Sequence, residues 1–106
     1  ANHPDLATSY NNIGGVYKSM GEYLKALEYY EKSLEILKKS LPANHPDLAT
    51  SYNNIGLVYY SMGEYSKALQ YLEHALDIRQ RSLPSNHPSI KSVKQSIETV
   101  KGKLKV

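Results

Sequence analysis

Apolar residues recur at helical spacing along the whole chain. After the first five residues they fall at positions 6, 10, 13, 16, 17 and 20. After Glu22 the apolar or small residues fall at 23, 26, 27, 30, 34, 37 and 41. Steps of three and four place side chains on one face of a helix, whereas a strand would alternate them. The pattern predicts two amphipathic helices, over about residues 4–20 and 22–41.

The helix boundaries carry recognisable signals. Pro4 suits the first position of a helix, and Asp5 complements the positive end of the helix dipole. Asn2 and His3 are both candidates for the N-cap. Gly21 supplies the left-handed conformation in which helices often end. Because the connections between helices are short, we expect consecutive helices to be antiparallel.

Residues 43–84 repeat residues 1–42 without insertion or deletion, and the two copies differ at 11 of 42 positions. A third copy starts at Ser85 in the same phase and covers residues 85–106. A fixed period in this range indicates helical units that bury their apolar faces by stacking on one another. The sequence therefore predicts a stack of three units, at 1–42, 43–84 and 85–106.

Small residues inside the helices predict close contacts. Gly14 and Gly56 interrupt the first helix of each copy, where glycine costs about 1 kcal/mol relative to alanine. Such a cost is usually offset when a neighbour packs against the bare Cα. Ala26 and Ala68 are the matching small positions of the second helix. We expect tyrosine rings to fill the space around these four residues.

The third unit keeps an apolar stripe but has a charged opposite face. Lys94, Glu98 and Lys101 stand where the earlier copies have tyrosine, glycine and tyrosine. This pattern is typical of the polar end unit that a repeat array needs for solubility. The stripe consists of Ile90, Val93, Ile97, Val100 and Leu104.

Charge and composition narrow the classes of function. The net charge of +3 comes from the last 22 residues, which carry five lysines against one glutamate. Contact of Lys91, Lys94 and Lys101 with nucleic acid or an acidic membrane is the less favoured interpretation, because the tail lacks arginine and interleaved aromatic residues. No apolar run approaches the length that spans a bilayer. Without cysteine there is no disulfide framework, and we expect a cytoplasmic protein.

No recognisable catalytic motif is present. His3, His45 and His87 recur one period apart and lack partners at ligand spacing, so a role in the turn is favoured over a metal site. There is no glycine-rich phosphate loop and no setting for a nucleophile. We expect a non-enzymatic protein without cofactors.

The chain resembles the tetratricopeptide repeat family. The resemblance rests on Tyr10, Ile13-Gly14, Tyr17, Ala26 and Tyr30, with their counterparts in the second copy. The period of 42 residues, against ~34 in the usual repeat, is most similar to the repeats of kinesin light chains. Departures are tyrosine at the usual tryptophan position and Ser33 where alanine is expected. The resemblance implies an all-α, right-handed α-α superhelix of two helix-turn-helix repeats with a C-terminal capping helix.

The resemblance also implies a concave groove, lined by the first helix of each unit, that holds a segment of a protein or peptide partner. Asparagine suits such a groove because its amide both donates to and accepts from a peptide backbone. The asparagine pairs are alternatively solvated, or bonded across to the next helix. Leu57 and Tyr60 form either a side-chain pocket, which we favour, or packing against the preceding helix. The groove candidates are Thr8, Asn11, Asn12, Gly15, Lys18, Ser19, Thr50, Asn53, Asn54, Leu57, Tyr60, Ser61, Gln95 and Thr99.

Two functional hypotheses follow. The first is a module that binds a peptide segment in the groove. The second is a structural scaffold without its own ligand, arising from recent duplication or from consensus-style engineering. In either case the first unit has no preceding unit to cover it. We therefore expect a monomer or weak self-association through this N-terminal face.

Overall fold

The structure is a computed structural model that describes residues 4–105. It consists of five α-helices and contains no strand within that range. The all-α prediction is confirmed, and the chain forms a helical repeat superhelix. No helix between residues 4 and 105 has both the length and the apolarity that crossing a membrane requires. The helices are α1 (Pro4–Ser19), α2 (Tyr23–Ser40), α3 (Pro46–Ser61), α4 (Tyr65–Ser82) and α5 (Pro88–Leu104).

Each helix packs mainly against the next one along the chain. The core therefore lies between consecutive helices. In one cluster Ala26, Leu27 and Tyr30 of α2 meet Ile55 and Val58 of α3. Further clusters join α3 to α4 and α4 to α5. Stacking brings α1, α3 and α5, the first helices of the three copies, side by side.

In each later copy a histidine side chain stands at the start of the first helix. The Nδ1 atom of His45 accepts a hydrogen bond from the backbone N–H of Asp47 at 3.1 Å. His87 does the same for Ser89, also at 3.1 Å. Proline follows each histidine at the first position of the helix. The recurrent histidine therefore caps its helix, while Asn2 and His3 lie outside the described residues.

Glycine ends the first helix of each complete copy in the left-handed conformation, as predicted for Gly21. The φ angles are 78° at Gly21 and 80° at Gly63. In this conformation the N–H of Glu22 reaches the carbonyl of Tyr17 at 2.9 Å. The chain thus turns within three residues, and α2 begins.

Close approach of the helices at the small residues is confirmed. A Cβ atom placed on Gly14 would lie 2.7 Å from Cδ1 of Tyr30, and one on Gly56 would lie 3.0 Å from Cγ of Leu72. Ala26 is fully buried in the same contact region. A methyl group at position 14 therefore overlaps the tyrosine ring of α2.

The last helix has one buried face and one charged face. Ile90, Val93, Ile97 and Val100 are buried, the last three against α4, and the lysines and glutamate opposite them are exposed. Leu104 differs from the prediction, because 44% of its surface is exposed. It lies one turn beyond Val100, at the end of α5. At this end the neighbouring helix α4 is only beginning, so α4 covers little of Leu104.

Candidate functional site

The first cleft lies between α1 and α3 and encloses about 200 Å³. Its floor is formed by Ser33 and Leu37 of α2, because α2 packs behind both helices. Of the predicted groove residues, Thr8, Asn11 and Thr50 line it. A buried hydrogen bond joins the floor to α1, since the Ser33 hydroxyl donates to the carbonyl of Ala7 at 2.7 Å. The remaining lining residues are Ala7, Asp47 and Ser51.

Two of the predicted asparagines bond to each other across this cleft. Nδ2 of Asn54 donates to Oδ1 of Asn11 at 3.1 Å, which joins α3 to α1. For this pair the alternative interpretation, a bond to the next helix, is therefore the one observed. Asn12 is exposed and Asn53 is half-buried. The recurrent Asn-Asn sequence thus supplies one bridge between the repeats.

The pocket at Leu57 and Tyr60 lies between α3 and α5. It encloses about 100 Å³, and Thr99 and Val100 form its far wall together with Ser96. Leu57 and Tyr60 also pack on the core between α4 and α5, and the Tyr60 ring lies 5.6 Å from that of Tyr65. The neighbouring wall is therefore the following helix, rather than the preceding one considered in the alternative.

The other predicted residues lie around these two sites. Gly15 and Lys18 are half-buried on α1. Ser19, Ser61 and Gln95 are exposed. The Thr99 hydroxyl donates to the Gln95 carbonyl at 3.0 Å, which holds the side chain against its own helix.

Arg79 is a groove residue that sequence reasoning missed. It is the second-copy counterpart of Leu37, and its Nη2 donates to the Thr50 hydroxyl at 3.3 Å. Its Nε is buried and has no hydrogen-bond partner within residues 4–105. Burial lowers the pKa of Arg79, because desolvation disfavours its charged form. The replacement of leucine by arginine at position 79 was the available signal.

The Leu57–Tyr60 pocket lies in the seam between α3 and α5, which is called the second cleft below. Arg79 is the counterpart of Leu37, which lines the first cleft, and this correspondence assigns it to the second cleft near the start of α3, where it bonds to Thr50. The apolar pocket lies near the end of α3. The two clefts lie between corresponding helices but have different side chains.

The described residues offer no metal site. Between residues 4 and 105 no three histidine, cysteine, aspartate or glutamate side chains lie close enough together to hold a metal ion. His45 and His87 instead use Nδ1 to cap their helices.

Comparison with known proteins finds one matching family model and several solved structures of similar fold. The family model described as "Tetratricopeptide repeat" matches residues 3–81. The nearly identical TPR-like repeats of a putative kinesin light chain from Podosopora anserina share 24% identity, with a TM-score of 0.88 over 97% of this chain and 49% of that one. BtubC (BKLC) from P. vanneervenii shares 25% identity, with a TM-score of 0.89 over 97% of this chain and 41% of that one.

A more distant match is the N-terminal domain of stress-induced protein-1 from C. elegans. It shares 17% identity, with a TM-score of 0.69 over 90% of this chain and 67% of that one. No curated protein sequence matches the chain. The chain spans about half the length of the first two structures, or less.

Proposed function

This chain belongs to the tetratricopeptide repeat family, and on that premise we propose that it holds a peptide segment of a partner protein in the groove along α1, α3 and α5. Members of this family generally mediate protein–protein interactions, and they are typically non-enzymatic scaffolds. The observations that carry the proposal are the half-buried Arg79, which is bonded to Thr50 of α3, and the apolar pocket between α3 and α5.

Spacing along α3 sets the length of the segment. Thr50, which holds Arg79, and Tyr60, which lines the pocket, are ten residues apart in one helix. At 1.5 Å per residue they are separated by about 15 Å along the axis. An extended peptide covers that distance with about four or five residues. The segment therefore presents an anionic group at one end and an apolar side chain at the other.

The chemistry of Arg79 favours a carboxylate at the first end. Its Nε is buried without a hydrogen-bond partner in the described part of the chain, and leaving such a donor unsatisfied costs free energy. A carboxylate accepts two parallel hydrogen bonds from a guanidinium group. Binding of an aspartate or glutamate beside the guanidinium group would supply a counter-charge to a partly desolvated cation.

The polar groove residues supply main-chain contacts in this proposal. Asn53 and the remaining amide group of Asn54 lie on α3, beside the segment. Asn11 and Asn12 lie on α1 and contact the segment where it extends from the second cleft across to α1, and Lys18 and Ser61 lie at the ends of α1 and α3. Hydrogen bonds to an extended backbone give affinity without selecting a sequence. Specificity then belongs to the second cleft, whose pocket and arginine are absent from the first.

The test is selection from a phage-displayed library of random 12-residue peptides against the 106-residue chain. We expect enriched peptides with an acidic residue four or five positions from an apolar one, and dissociation constants of about 10 µM. Tyr60→Lys and Arg79→Leu restore the residues of the first copy. Each variant should weaken binding at least tenfold.

Gln70→Ala is the matched control, because Gln70 is exposed on α4, away from the lining of both clefts. Its binding should equal that of the parent chain. Failure to enrich any peptide, or enriched peptides that bind both cleft variants at full strength, would refute the groove and favour a scaffold without a ligand. Circular dichroism of each variant verifies that the helices are intact.

We propose further that this is a cytoplasmic protein that has no enzymatic activity and no cofactor, and that it binds neither nucleic acid nor membranes. The lack of cysteine supports the location. The exposed lysines of α5 serve solubility, so neutralising Lys91, Lys94 and Lys101 should leave peptide binding unchanged. Salt-sensitive binding of a polyanion such as heparin, lost in that variant, would overturn this part.

A further inference from the structure

Tyrosine rings stack across the two helices of each complete copy. Tyr59 of α3 lies against Tyr71 of α4, with ring centroids 5.5 Å apart and ring planes 22° from parallel. Their first-copy counterparts, Tyr17 of α1 and Tyr29 of α2, have centroids 5.6 Å apart and planes 18° from parallel. These two contacts are called the stacked pairs below. One ring from each helix of the unit thus takes part in the same contact in both copies.

Composition makes tyrosine the target of one-electron oxidation in this chain. Cysteine, tryptophan and tyrosine are the side chains that lose a single electron most readily, and the chain has ten tyrosines but neither of the other two. Its two methionines react instead by taking up an oxygen atom to give the sulfoxide. A one-electron oxidant therefore leaves its radical on tyrosine.

The stacked pair of the second copy is accessible to a small oxidant. Tyr59 and Tyr71 are both half-buried. Their unit has a neighbour on each side, because α2 packs against α3 and α5 packs against α4. The exposure of the two rings is therefore set by both neighbours in the stack. Solvent reaches the rings, while the two helices hold them in contact.

Ring orientation distinguishes the stacked pairs from another tyrosine contact. Tyr60 and Tyr65 have centroids 5.6 Å apart, but their planes are 55° from parallel. Two phenoxyl radicals couple through overlap of their π orbitals, which extend from the ring faces. Nearly parallel rings turn these faces toward each other, and a tilt reduces the overlap. We therefore expect the stacked pairs to couple more readily than Tyr60 and Tyr65.

From the stacking, the accessibility and the lack of competing side chains we propose that each stacked pair is a cross-linking site, at which a one-electron oxidant forms dityrosine. Each ring loses one electron to the oxidant and its phenolic proton to water. The two radicals then form a carbon–carbon bond between positions ortho to their oxygens. Each ring becomes aromatic again when its displaced ortho hydrogen moves to the oxygen. Two electrons and two protons leave in total, and the proposal is independent of peptide binding.

The cross-link fastens the two helices of one unit to each other. A bond between Tyr59 and Tyr71 closes a loop that contains the turn at Gly63. As with a disulfide, closing a loop restricts the unfolded chain and thereby favours the folded one. We expect the Tm of the cross-linked chain to rise by at least about 5 °C.

Photo-oxidation with tris(bipyridine)ruthenium(II) and persulfate tests the site. Persulfate takes up the two electrons and becomes two sulfate ions. We expect a product that is lighter by two hydrogens for each cross-link and shows dityrosine fluorescence. Because the bond forms within one chain, its yield should not depend on chain concentration in the low micromolar range. After trypsin digestion, residues 40–67 should remain joined to residues 68–79.

Substitution by phenylalanine keeps each ring but removes its phenolic group. Tyr59→Phe and Tyr71→Phe should each abolish the joined peptides of the second copy and leave the link between Tyr17 and Tyr29. Tyr23→Phe is the matched control, because Tyr23 is half-buried on α2 and contacts no other tyrosine ring between residues 4 and 105. This variant should form both links. Circular dichroism verifies that the helices of each variant are intact.

Several results would overturn the proposal. One is the absence of any internal link, with covalent dimers as the cross-linked product. Another is a link that persists in Tyr59→Phe, or a link between Tyr60 and Tyr65 in place of the stacked pair. Equal loss of dityrosine in Tyr23→Phe and Tyr71→Phe would also contradict it. So would an equal yield of the joined peptides from the chain unfolded in urea, because the yield would then owe nothing to stacking.

Discussion

Two adjacent glycines of α1 should respond in opposite ways to the same substitution. A Cβ atom on Gly14 would lie 2.7 Å from Cδ1 and 2.9 Å from Cε1 of Tyr30. A Cβ atom on Gly15 would meet only the Tyr30 hydroxyl, at an ordinary 3.5 Å. Both glycines lie inside the same helix, so both gain the same helix propensity when alanine replaces them. The comparison isolates the contact with the ring.

The magnitude follows from two opposing terms. Replacing glycine by alanine inside a helix contributes about 1 kcal/mol of stability. Gly15→Ala should realise most of this gain. At Gly14 the added methyl group forces the buried Tyr30 ring to move, and overpacking of this kind costs about 1–3 kcal/mol. The two variants should therefore differ by about 1–3 kcal/mol in the free energy of unfolding.

Thermal and urea unfolding followed by circular dichroism measures the difference. For a chain of this size it corresponds to at least about 4 °C in Tm, with Gly15→Ala above the parent and Gly14→Ala below Gly15→Ala. Equal stability of the two variants would refute the account of the helix contact. Introducing Tyr30→Leu, the residue of the second copy, should reduce the penalty of Gly14→Ala, because a branched aliphatic side chain in that copy leaves more space.

Removal of the His45 cap by His45→Ala should lower stability by about 1 kcal/mol, and His45→Asn should recover most of the loss, as measured by urea unfolding. Ser33→Ala removes the buried bond to the Ala7 carbonyl and should cost about 1 kcal/mol in the same assay. Absorbance at 295 nm during alkaline titration should show that three of the ten tyrosines ionise late, because burial raises their pKa values above about 10. Complete overlap of this titration curve with that of the unfolded chain would contradict the prediction. Since the unfolded state then ionises first, their stabilising contribution is complete below about pH 10 and declines as the pH rises further. The three are Tyr30, Tyr59 and Tyr71.

The features that depend on periodicity could be predicted from the sequence. Apolar spacing located the five helices of residues 4–105, and the repeat placed Gly14 and Gly56 at close helix contacts. The charged substitutions of the last unit marked the exposed face of α5. These predictions succeeded because the burial of a helical residue depends mainly on which side of the helix it occupies.

Features that depend on the register between helices could not be predicted. The bond from Asn54 to Asn11 joins the second asparagine of one pair to the first of the other, a match set by the displacement between α1 and α3. Asn2 and His3 were equal candidates for the cap, and only the backbone geometry at His45 and His87 favours histidine. Arg79 was not predicted as a groove residue, because an arginine near the end of a helix usually interacts favourably with the helix dipole.

Whether a position differs between the two copies depends on its place in the structure. Several residues that stack one helix on the next, such as Ile55 and Val58, have identical counterparts in the first copy, although the buried Tyr30 and Ser33 are replaced by Leu72 and Ala75. Three of the replacements, by contrast, concern the groove: glycine by Leu57, lysine by Tyr60 and leucine by Arg79. Together they give the second copy an apolar pocket and a cation, while the helices keep the same bounds within the repeat. The stack therefore accepts some changes of side chain, and under the proposed function the second cleft is where specificity differs between the two repeats.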